Sequence, residues 1–215
     1  MRPIFILLSL GLLAAGCGPL ADHFNDKGAE AFRKNDISAA REQFKKAVLF
    51  NGGDAVYHNN LGYALYLLKD LDGAEPEFRK ALSLSPEASL ARQIKINQAL
   101  LYCEGGAGTD KSRRDWTGKG IQALKELLAE DGSNAEFHMR LGFAYFQAAN
   151  PGGGFLELDK AVQYADPQTI AHYSSQPKQG ALFILDQVQS FYVRIRYFKK
   201  ALQVQKKIAK LQKTK

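Results

Sequence analysis

The segment Phe44-Lys45-Lys46-Ala47-Val48 returns further along the chain as Phe78-Arg79-Lys80-Ala81-Leu82. The same 34-residue offset relates other small and polar residues, namely Gly28 to Gly62, Asp36 to Asp70 and Ala40 to Ala74. In both segments the apolar residues recur at spacings of three and four, which indicates amphipathic α-helices and not the alternation of a β-strand. A fixed period of this length indicates a supersecondary unit that is repeated along the chain.

The pattern resembles the tetratricopeptide repeat (TPR), a helix-turn-helix unit of about 34 residues with small and aromatic residues at set positions. The second copy carries the resemblance best, with Leu61-Gly62, Ala74, Phe78, Ala81 and Pro86 in register. The resemblance implies an all-α solenoid, in which each hairpin leaves an apolar face that the next hairpin covers.

The register continues with one insertion and one degenerate copy. Leu141-Gly142 opens the first helix of a fourth repeat, and its distance from Leu61-Gly62 is two periods and 12 further residues. The extra residues fall near 104–116, inside the third repeat. We expect about five helix-turn-helix units: repeats one to four over residues 21–168, and a degenerate fifth repeat with a basic capping helix over 169–215.

Two local patterns mark the later repeats. Ser133-x-x-Glu136 is typical of a capping box and predicts the start of the fourth repeat. Phe198-Lys199-Lys200-Ala201-Leu202 repeats the phrase of residues 44–48 and marks the fifth copy. Its turn is poorly marked, because Gln189-Ser190 stands in place of the usual glycine and aspartate. Residues 179–212 are therefore predicted as either a helix pair or one long amphipathic helix.

Residues 1–16 have the pattern of an export signal, with a basic start and an apolar stretch that is too short to span a bilayer. Leu13-Ala14-Ala15-Gly16-Cys17 resembles the lipobox of bacterial lipoproteins, which implies cleavage before Cys17 and lipidation of its thiol. Residues 17–20 would then form a lipid-anchored tether. Gly18 follows, where an inner-membrane retention signal has aspartate, so the resemblance implies an outer-membrane protein that faces the periplasm. The alternative is an ordinary export signal followed by a structural cysteine.

The net charge of +7 comes from the C-terminal segment alone. No acidic residue follows Asp186, whereas nine cations do: Arg194, Arg196, Lys199, Lys200, Lys206, Lys207, Lys210, Lys213 and Lys215. The rest of the chain therefore carries −2. Three interpretations stay open for this basic helix: a solvated cap, a surface for an acidic partner, or a surface for anionic lipid. The export signal argues against nucleic acid as a partner.

The sequence predicts no catalytic residue, no metal site and no cofactor. The glycine-rich residues 105–112 lack the features of a phosphate-binding loop, because Asp110 replaces the glycine before the lysine and a helix precedes them. His58 and His138 occupy the same repeat position, which favours a packing role. No histidine or cysteine has the spacing of a metal ligand.

In TPR arrays the first helix of each hairpin lines a groove that binds extended or helical peptides. The resemblance assigns this role to Asn59, Asn60, Tyr63 and Tyr66 in repeat two, Gln93 and Asn97 in repeat three, and Met139, Arg140, Phe143 and Phe146 in repeat four. Aromatic rings would supply contact area and amides would bond the backbone of the ligand. The alternative is that some of these aromatic residues belong to the core, Tyr66 and Phe146 above all.

These features together predict a non-catalytic, lipid-anchored scaffold of the cell envelope. TPR lipoproteins of this size resemble those of type IV and tight-adherence (Flp) pilus systems, which implies an assembly factor for a pilus or secretion apparatus. A second family of similar build recruits peptidoglycan hydrolases or proteases, so an adaptor role is the alternative. An enzyme built on a helical-repeat scaffold is the competing class.

Overall fold

The computed structural model describes residues 11–85, 87–106, 115–172 and 175–213, with side chains from residue 18 onward. Over these ranges the chain forms eleven helices: α1 (Gly11–Arg33), α2 (Ile37–Phe50), α3 (Ala55–Leu67), α4 (Leu71–Leu84), α5 (Ala88–Gly106), α6 (Trp116–Glu130), α7 (Ala135–Gln147), α8 (Pro151–Tyr164), α9 (Pro167–Ile170), α10 (Pro177–Arg194) and α11 (Phe198–Lys213). The predicted class, an all-α TPR solenoid, is confirmed. Residues 1–10 of the predicted export signal and the side chain of Cys17 lie outside the described part.

The chain divides into two compact units, Met1–Leu101 and Tyr102–Lys215. In the first unit, α1 pairs with α2, α3 pairs with α4, and α2 packs on α3. In the second unit, α7 pairs with α8 and α10 pairs with α11. Consecutive helices therefore form hairpins, as the repeat period predicts.

Glycine at the repeated first-helix position allows a close approach between the helices of a hairpin. A Cβ atom placed on Gly28 would lie 2.5 Å from the ring of Phe44, and one on Gly62 would lie 2.9 Å from the ring of Phe78. Only a residue without a side chain admits this contact. In each of these hairpins, a glycine on the first helix therefore packs against a large apolar residue on the second helix.

Four hairpin turns share one backbone geometry. A residue with positive φ ends the first helix of each hairpin: Asn35, Lys69, Ala149 and Arg196. The following N–H bonds the carbonyl oxygen five residues earlier, as in Asp70 N to Leu65 O at 3.0 Å and Tyr197 N to Tyr192 O at 2.8 Å. This is the Schellman arrangement that closes a helix with a left-handed residue.

The turn at Arg196 shows that the fifth repeat is a helix pair, α10 and α11. It also corrects the register inferred from the repeated phrase. Phe44 comes nine residues after its turn residue Asn35, whereas Phe198 comes only two after Arg196. The phrase is therefore displaced by seven residues, or about two helical turns. Gln189 and Ser190 lie inside α10 and not at a turn.

The fourth repeat begins one residue later than its predicted capping box. Asn134, not Ser133, caps α7, because its Oδ1 accepts a hydrogen bond from the N–H of Phe137 at 3.1 Å. Ser133 donates instead to Asp131 at 3.1 Å. Glu136 is bonded to Arg140 and does not reach back to the cap.

The helices on either side of the predicted insertion are joined at its ends. The ring of Trp116, the first residue of α6, packs against Gly105 near the end of α5. The hydroxyl of Thr117 donates to the carbonyl oxygen of Gly106 at 3.2 Å. Residues 107–114 between them lie outside the described part.

The last helix is fixed to α8 by two of its lysines. Lys200 bonds both carboxylate oxygens of Asp159, at 2.6 and 2.7 Å. Lys207 donates to the carbonyl oxygens of Val162 and Gln163, in the last turn of α8. Its positive charge thus meets the negative end of the α8 dipole. Burial lowers the pKa of Lys207, against the opposing effect of the Asp166 carboxylate.

Candidate functional site

A pocket of about 240 Å³ lies between the first two hairpins. Its lining comes from α1 (Ala29, Phe32 and Arg33), α2 (Phe44) and α3 (Asn60 and Tyr63). Rings and a methyl group provide most of the surface, while one guanidinium and one amide supply the polar groups. The pocket thus offers apolar contact area beside a donor-rich edge.

A row of aromatic rings extends from this pocket along α3. The ring centroids of Phe32 and Tyr63 are 5.8 Å apart, and those of Tyr63 and Tyr66 are 6.1 Å apart. The ammonium of Lys69 lies 5.7 Å from the Tyr66 ring. Tyr63 and Tyr66 are both half-buried, so part of each side chain stays exposed.

The amides predicted to bond a ligand form hydrogen bonds with neighbouring amides. Asn60 donates to Asn25 at 2.9 Å, and Asn97 donates to Asn59 at 2.9 Å. Gln93 in turn donates to Asn97 at 3.3 Å. These contacts link the first helices of successive repeats within the first unit. The pairs satisfy amides that would otherwise be buried at a cost in free energy.

The burial of these amides corrects two of the predicted groove residues. Asn59 is 9% exposed and Asn97 is 5% exposed, so each offers very little surface to a bound peptide. Their role is to join α3 to α5. Asn60 and Gln93 keep exposed surface and stay available to a ligand.

The four groove residues predicted in repeat four also serve packing to a large extent. Met139 is 3% exposed and belongs to the core of the second unit, so its predicted place in the groove is wrong. The rings of Phe143 and Phe146 are half-buried, with centroids 4.9 and 4.8 Å from that of Phe191 on α10. Arg140 is bonded to Glu136 at 2.6 Å. Helix α10 thus occupies the aromatic face of α7.

One cation, Arg33, lies at the edge of the pocket in the first unit. Arg33 is exposed at its rim, and Lys34 forms an ion pair with Glu30 at 2.6 Å. The hydrogen bond and the charge of Lys34 lower the pKa of the Glu30 carboxyl, and Arg33 and Lys27 add to the effect. Arg33 is therefore the charged group at the rim, and it suits a ligand with a carboxylate next to its apolar side chain.

The sequence predicts a packing role for His58 and His138 but not that each of them contacts a glutamate. His58 Nδ1 lies 2.6 Å from Glu77 Oε2, and His138 Nδ1 lies 2.5 Å from Glu157 Oε2. The other ring nitrogen of each histidine faces a backbone carbonyl oxygen, of Gly52 at 3.1 Å and of Gly132 at 3.0 Å. The sequence does contain a sign of these contacts, because the glutamate follows the histidine by the same number of residues in both repeats. With both nitrogens engaged, neither ring presents a free base.

A second missed contact joins α3 to α1. The hydroxyl of buried Tyr57 donates a hydrogen bond to the carboxylate of Asp22. Burial and the Asp22 carboxylate both raise the pKa of Tyr57. This bond holds the first helix of repeat two against the first helix of repeat one, on which the pocket depends.

In the ranges that the structure describes, no cluster of three or more histidine, cysteine or acidic side chains is arranged to hold a metal ion. No helix in those ranges combines the length and apolarity that a membrane span requires. Cys103 has a free thiol, and burial raises its pKa to about 11.

Comparison with known proteins identifies the class of fold. The tetratricopeptide repeat family model matches residues 25–89. A structure of MamA (41-end) from Desulfovibrio magneticus RS-1 is 19% identical, with a TM-score of 0.62, over 91% of this chain and 96% of that chain. A TPR protein of Parabacteroides merdae ATCC 43184 is 20% identical, with a TM-score of 0.55, over 90% of this chain and 73% of that chain.

A thermophilic TPR protein of Thermus thermophilus is 15% identical, with a TM-score of 0.52, over 89% of this chain and 98% of that chain. No curated protein matches the sequence. At these identities the likeness establishes the TPR fold. Such a fold is generally a non-catalytic scaffold suited to protein–protein interaction.

Proposed function

We propose that this protein is a lipid-anchored scaffold of the cell envelope that binds a segment of a partner protein on α1 and α3. The pocket between Phe32, Phe44 and Tyr63 carries the proposal, because it lies on the first helices that bind peptides in TPR arrays. Its rings offer the contact area that dominates binding energy at protein interfaces. Its volume of about 240 Å³ accommodates one large apolar side chain of the partner.

The polar groups at the pocket define the partner further. Arg33 can form a charge-assisted hydrogen bond with a carboxylate, and such bonds are about twice as strong as neutral ones. Asn60 keeps one amide N–H after donating to Asn25. We therefore expect an extended or helical segment that carries an acidic residue close to its apolar anchor.

The proposed anchor is lipid on Cys17, and it would hold this surface near a membrane. Support comes from the lipobox pattern at residues 13–17. Ala21 is fully buried, and Cys17 precedes it by four residues. At 1.5 Å per helical residue, this separation is about 6 Å along the helix. We place the protein at the outer membrane, facing the periplasm.

The particular role that we propose is assembly of a pilus or secretion apparatus. It is supported by the resemblance to TPR lipoproteins of pilus systems. An adaptor that recruits cell-wall hydrolases or proteases would use the same surface, so the two roles differ only in the partner. Identification of the partner distinguishes them.

The test is photo-crosslinking in living cells from a photoreactive amino acid at position 63, followed by mass spectrometry. The matched control carries the photoreactive amino acid at position 49 instead. Leu49 is 80% exposed and lines a different cleft. Capture of a secretin or pilus component from position 63 only would support the assembly role. Capture of a hydrolase or protease would replace it with the adaptor role. Equal capture from both positions would contradict binding at the pocket.

A further inference from the structure

The C-terminal hairpin presents apolar side chains to solvent in an unusual concentration. Around its turn, Val193 is 47% exposed, Phe198 62% and Leu202 53%. Ile195 and Tyr197 between them are also exposed. Scattered exposed apolar residues need no explanation, but a contiguous group of them is typical of an interaction surface.

Helix α11 carries two members of this group on the face away from the core. Ala201 and Val204 are buried, with Ile208 and Leu211 packed against the same core. Phe198 and Leu202 lie one turn apart on the opposite face, and Lys206 continues that face. The outer face of α11 thus carries two apolar side chains, Phe198 and Leu202, that the fold does not bury.

Cations and apolar side chains alternate on the outer face. Arg196, Lys199 and Lys206 are exposed among the apolar residues. Lys200 and Lys207 are not part of this surface, because they bond Asp159 and the end of α8. Asp159 is thereby neutralised, and no acidic side chain follows Asp186 in the sequence. We name the surface made by Val193, Ile195, Arg196, Phe198, Lys199, Leu202 and Lys206 the C-terminal patch.

We infer that the C-terminal patch docks on an anionic lipid surface. Apolar side chains that insert at the boundary between headgroups and acyl chains, flanked by cations, are the arrangement of interfacial membrane-binding helices. The lysines and arginines complement the negative headgroups, each cation adding to the attraction. The inference depends neither on lipid at Cys17 nor on the pocket, because the patch belongs to the second unit.

The test places an environment-sensitive fluorophore at position 202 of the full chain, in a Cys17→Ser, Cys103→Ser background. Vesicles contain either phosphatidylcholine alone or a mixture of phosphatidylcholine and anionic phosphatidylglycerol, with spin-labelled quencher lipids. We expect a blue shift and quenching with the anionic vesicles, lost at high salt. The same fluorophore at exposed Gln122 on α6 should stay in water, even if the N-terminal segment binds the vesicles.

Charge variants separate docking from general electrostatics. Lys199→Gln with Lys206→Gln should lower association of the probe with anionic vesicles about thirty-fold. Lys119→Gln with Lys125→Gln on α6 removes the same charge elsewhere and should have little effect. Circular dichroism checks that all variants keep their helix content. An equal loss in both pairs of variants would overturn the inference.

Other partners give different outcomes. A blue shift that grows with protein concentration in the absence of lipid would assign the patch to a second copy of this chain. A shift with polyglutamate but not with anionic vesicles would assign it to an acidic protein. A probe at position 202 that remains in water with both vesicle types would likewise refute membrane docking.

Discussion

His58 joins three parts of the second repeat: its Nδ1 lies 2.6 Å from Oε2 of Glu77 on α4, and its Nε2 lies 3.1 Å from the carbonyl oxygen of Gly52 before α3. A carbonyl oxygen only accepts, so Nε2 donates. With Nδ1 against the carboxyl group of Glu77, both ring nitrogens of His58 are engaged. The arrangement recurs in the fourth repeat, with His138, Glu157 and Gly132.

Glu157→Ala should destabilise the second unit by about 2–3 kcal/mol, because it leaves a buried ring nitrogen without its partner. It also removes the ion pair of Glu157 with Lys160 at 2.9 Å. Glu77→Ala should cost less, about 1–2 kcal/mol, because the Glu77 side chain is 24% exposed and that of Glu157 is 10% exposed. Chemical denaturation of both variants measures the difference.

A double-mutant cycle with His138→Ala provides the control for this prediction. If the pair acts as a unit, the double variant should lose much less than the sum of the two single losses. Simple additivity would show that the two side chains contribute independently.

Ala149→Gly should stabilise the protein by about 0.5–1 kcal/mol, because Ala149 has a left-handed conformation that strains a residue with a Cβ atom. Its φ is 55°, which suits glycine at the end of a helix. The matched control is Ala148→Gly, whose φ of −79° gives glycine no such advantage. This control should destabilise by a similar amount. Thermal unfolding of the two variants should give melting temperatures that move in opposite directions.

The fold was predictable because the residues that recur in the sequence pack against each other within one hairpin. The rings of Phe44 and Phe78 each leave room only for a glycine opposite, and the sequence supplies Gly28 and Gly62 at a constant spacing before them. The register of the fifth repeat was not predictable from its phrase. A shift of seven residues returns an α-helix to nearly the same face, so Phe198 resembles Phe44 while lying two turns away in the hairpin.

The groove was only partly predictable, because first-helix positions face either a ligand or the neighbouring repeat. Asn59 and Asn60 are adjacent and have identical chemistry. The structure buries Asn59 against Asn97 and leaves Asn60 at the pocket. The choice depends on how α3 and α5 pack, which no local pattern encodes. Periodicity located the first helices of the repeats, and the packing of the helices decided which of their residues stay exposed.

Cys103 should react slowly with alkylating reagents in the folded protein. Burial raises the pKa of its thiol from 9.0 to about 11, so very little reactive thiolate exists at pH 8. In a Cys17→Ser background, we expect iodoacetamide to react about a hundred times more slowly than in the denatured chain. A rate that matched the denatured chain would show that the thiol is freely accessible.

The same shift makes stability depend on pH. The unfolded chain releases the thiol proton from about pH 9 upward, whereas the folded chain keeps it until about pH 11. The unfolded state therefore gains stability as the pH rises between these values. Cys103→Ser should therefore reduce the fall in the free energy of unfolding between pH 9 and 10. Urea denaturation at a series of pH values measures this fall. If the free energy of unfolding fell equally steeply with pH in the Cys103→Ser variant, another group would be responsible for the pH dependence.

Cys17→Ser should release the protein from membranes in a high-salt wash, because the proposed lipid anchor needs the thiol and docking by the C-terminal patch alone is lost at high salt. Fractionation of cells measures the distribution, with Cys103→Ser as the control that keeps Cys17. Retention of the Cys17→Ser variant would contradict lipidation as the main anchor. Retention that disappeared on further addition of Lys199→Gln and Lys206→Gln would transfer that role to the C-terminal patch.

Tyr63→Ala should weaken capture of the partner at least ten-fold and cost only about 1 kcal/mol of stability, because it removes a central aromatic anchor from a half-exposed position. Its ring contacts Phe32 and Tyr66 at the pocket, whereas the core of the hairpin depends on other residues. Co-purification with the crosslinked partner measures capture, and thermal unfolding measures stability.

Tyr57→Ala is the matched control on the same helix. Tyr57 is only 4% exposed and bonds Asp22, so its truncation should cost about 3–5 kcal/mol and reduce capture only by unfolding the protein. At a temperature where both variants are folded, capture should separate them: Tyr63→Ala weak, Tyr57→Ala near normal. If Tyr63→Ala instead lowered the melting temperature as much as Tyr57→Ala, Tyr63 would belong to the core and the pocket would lose its central contact.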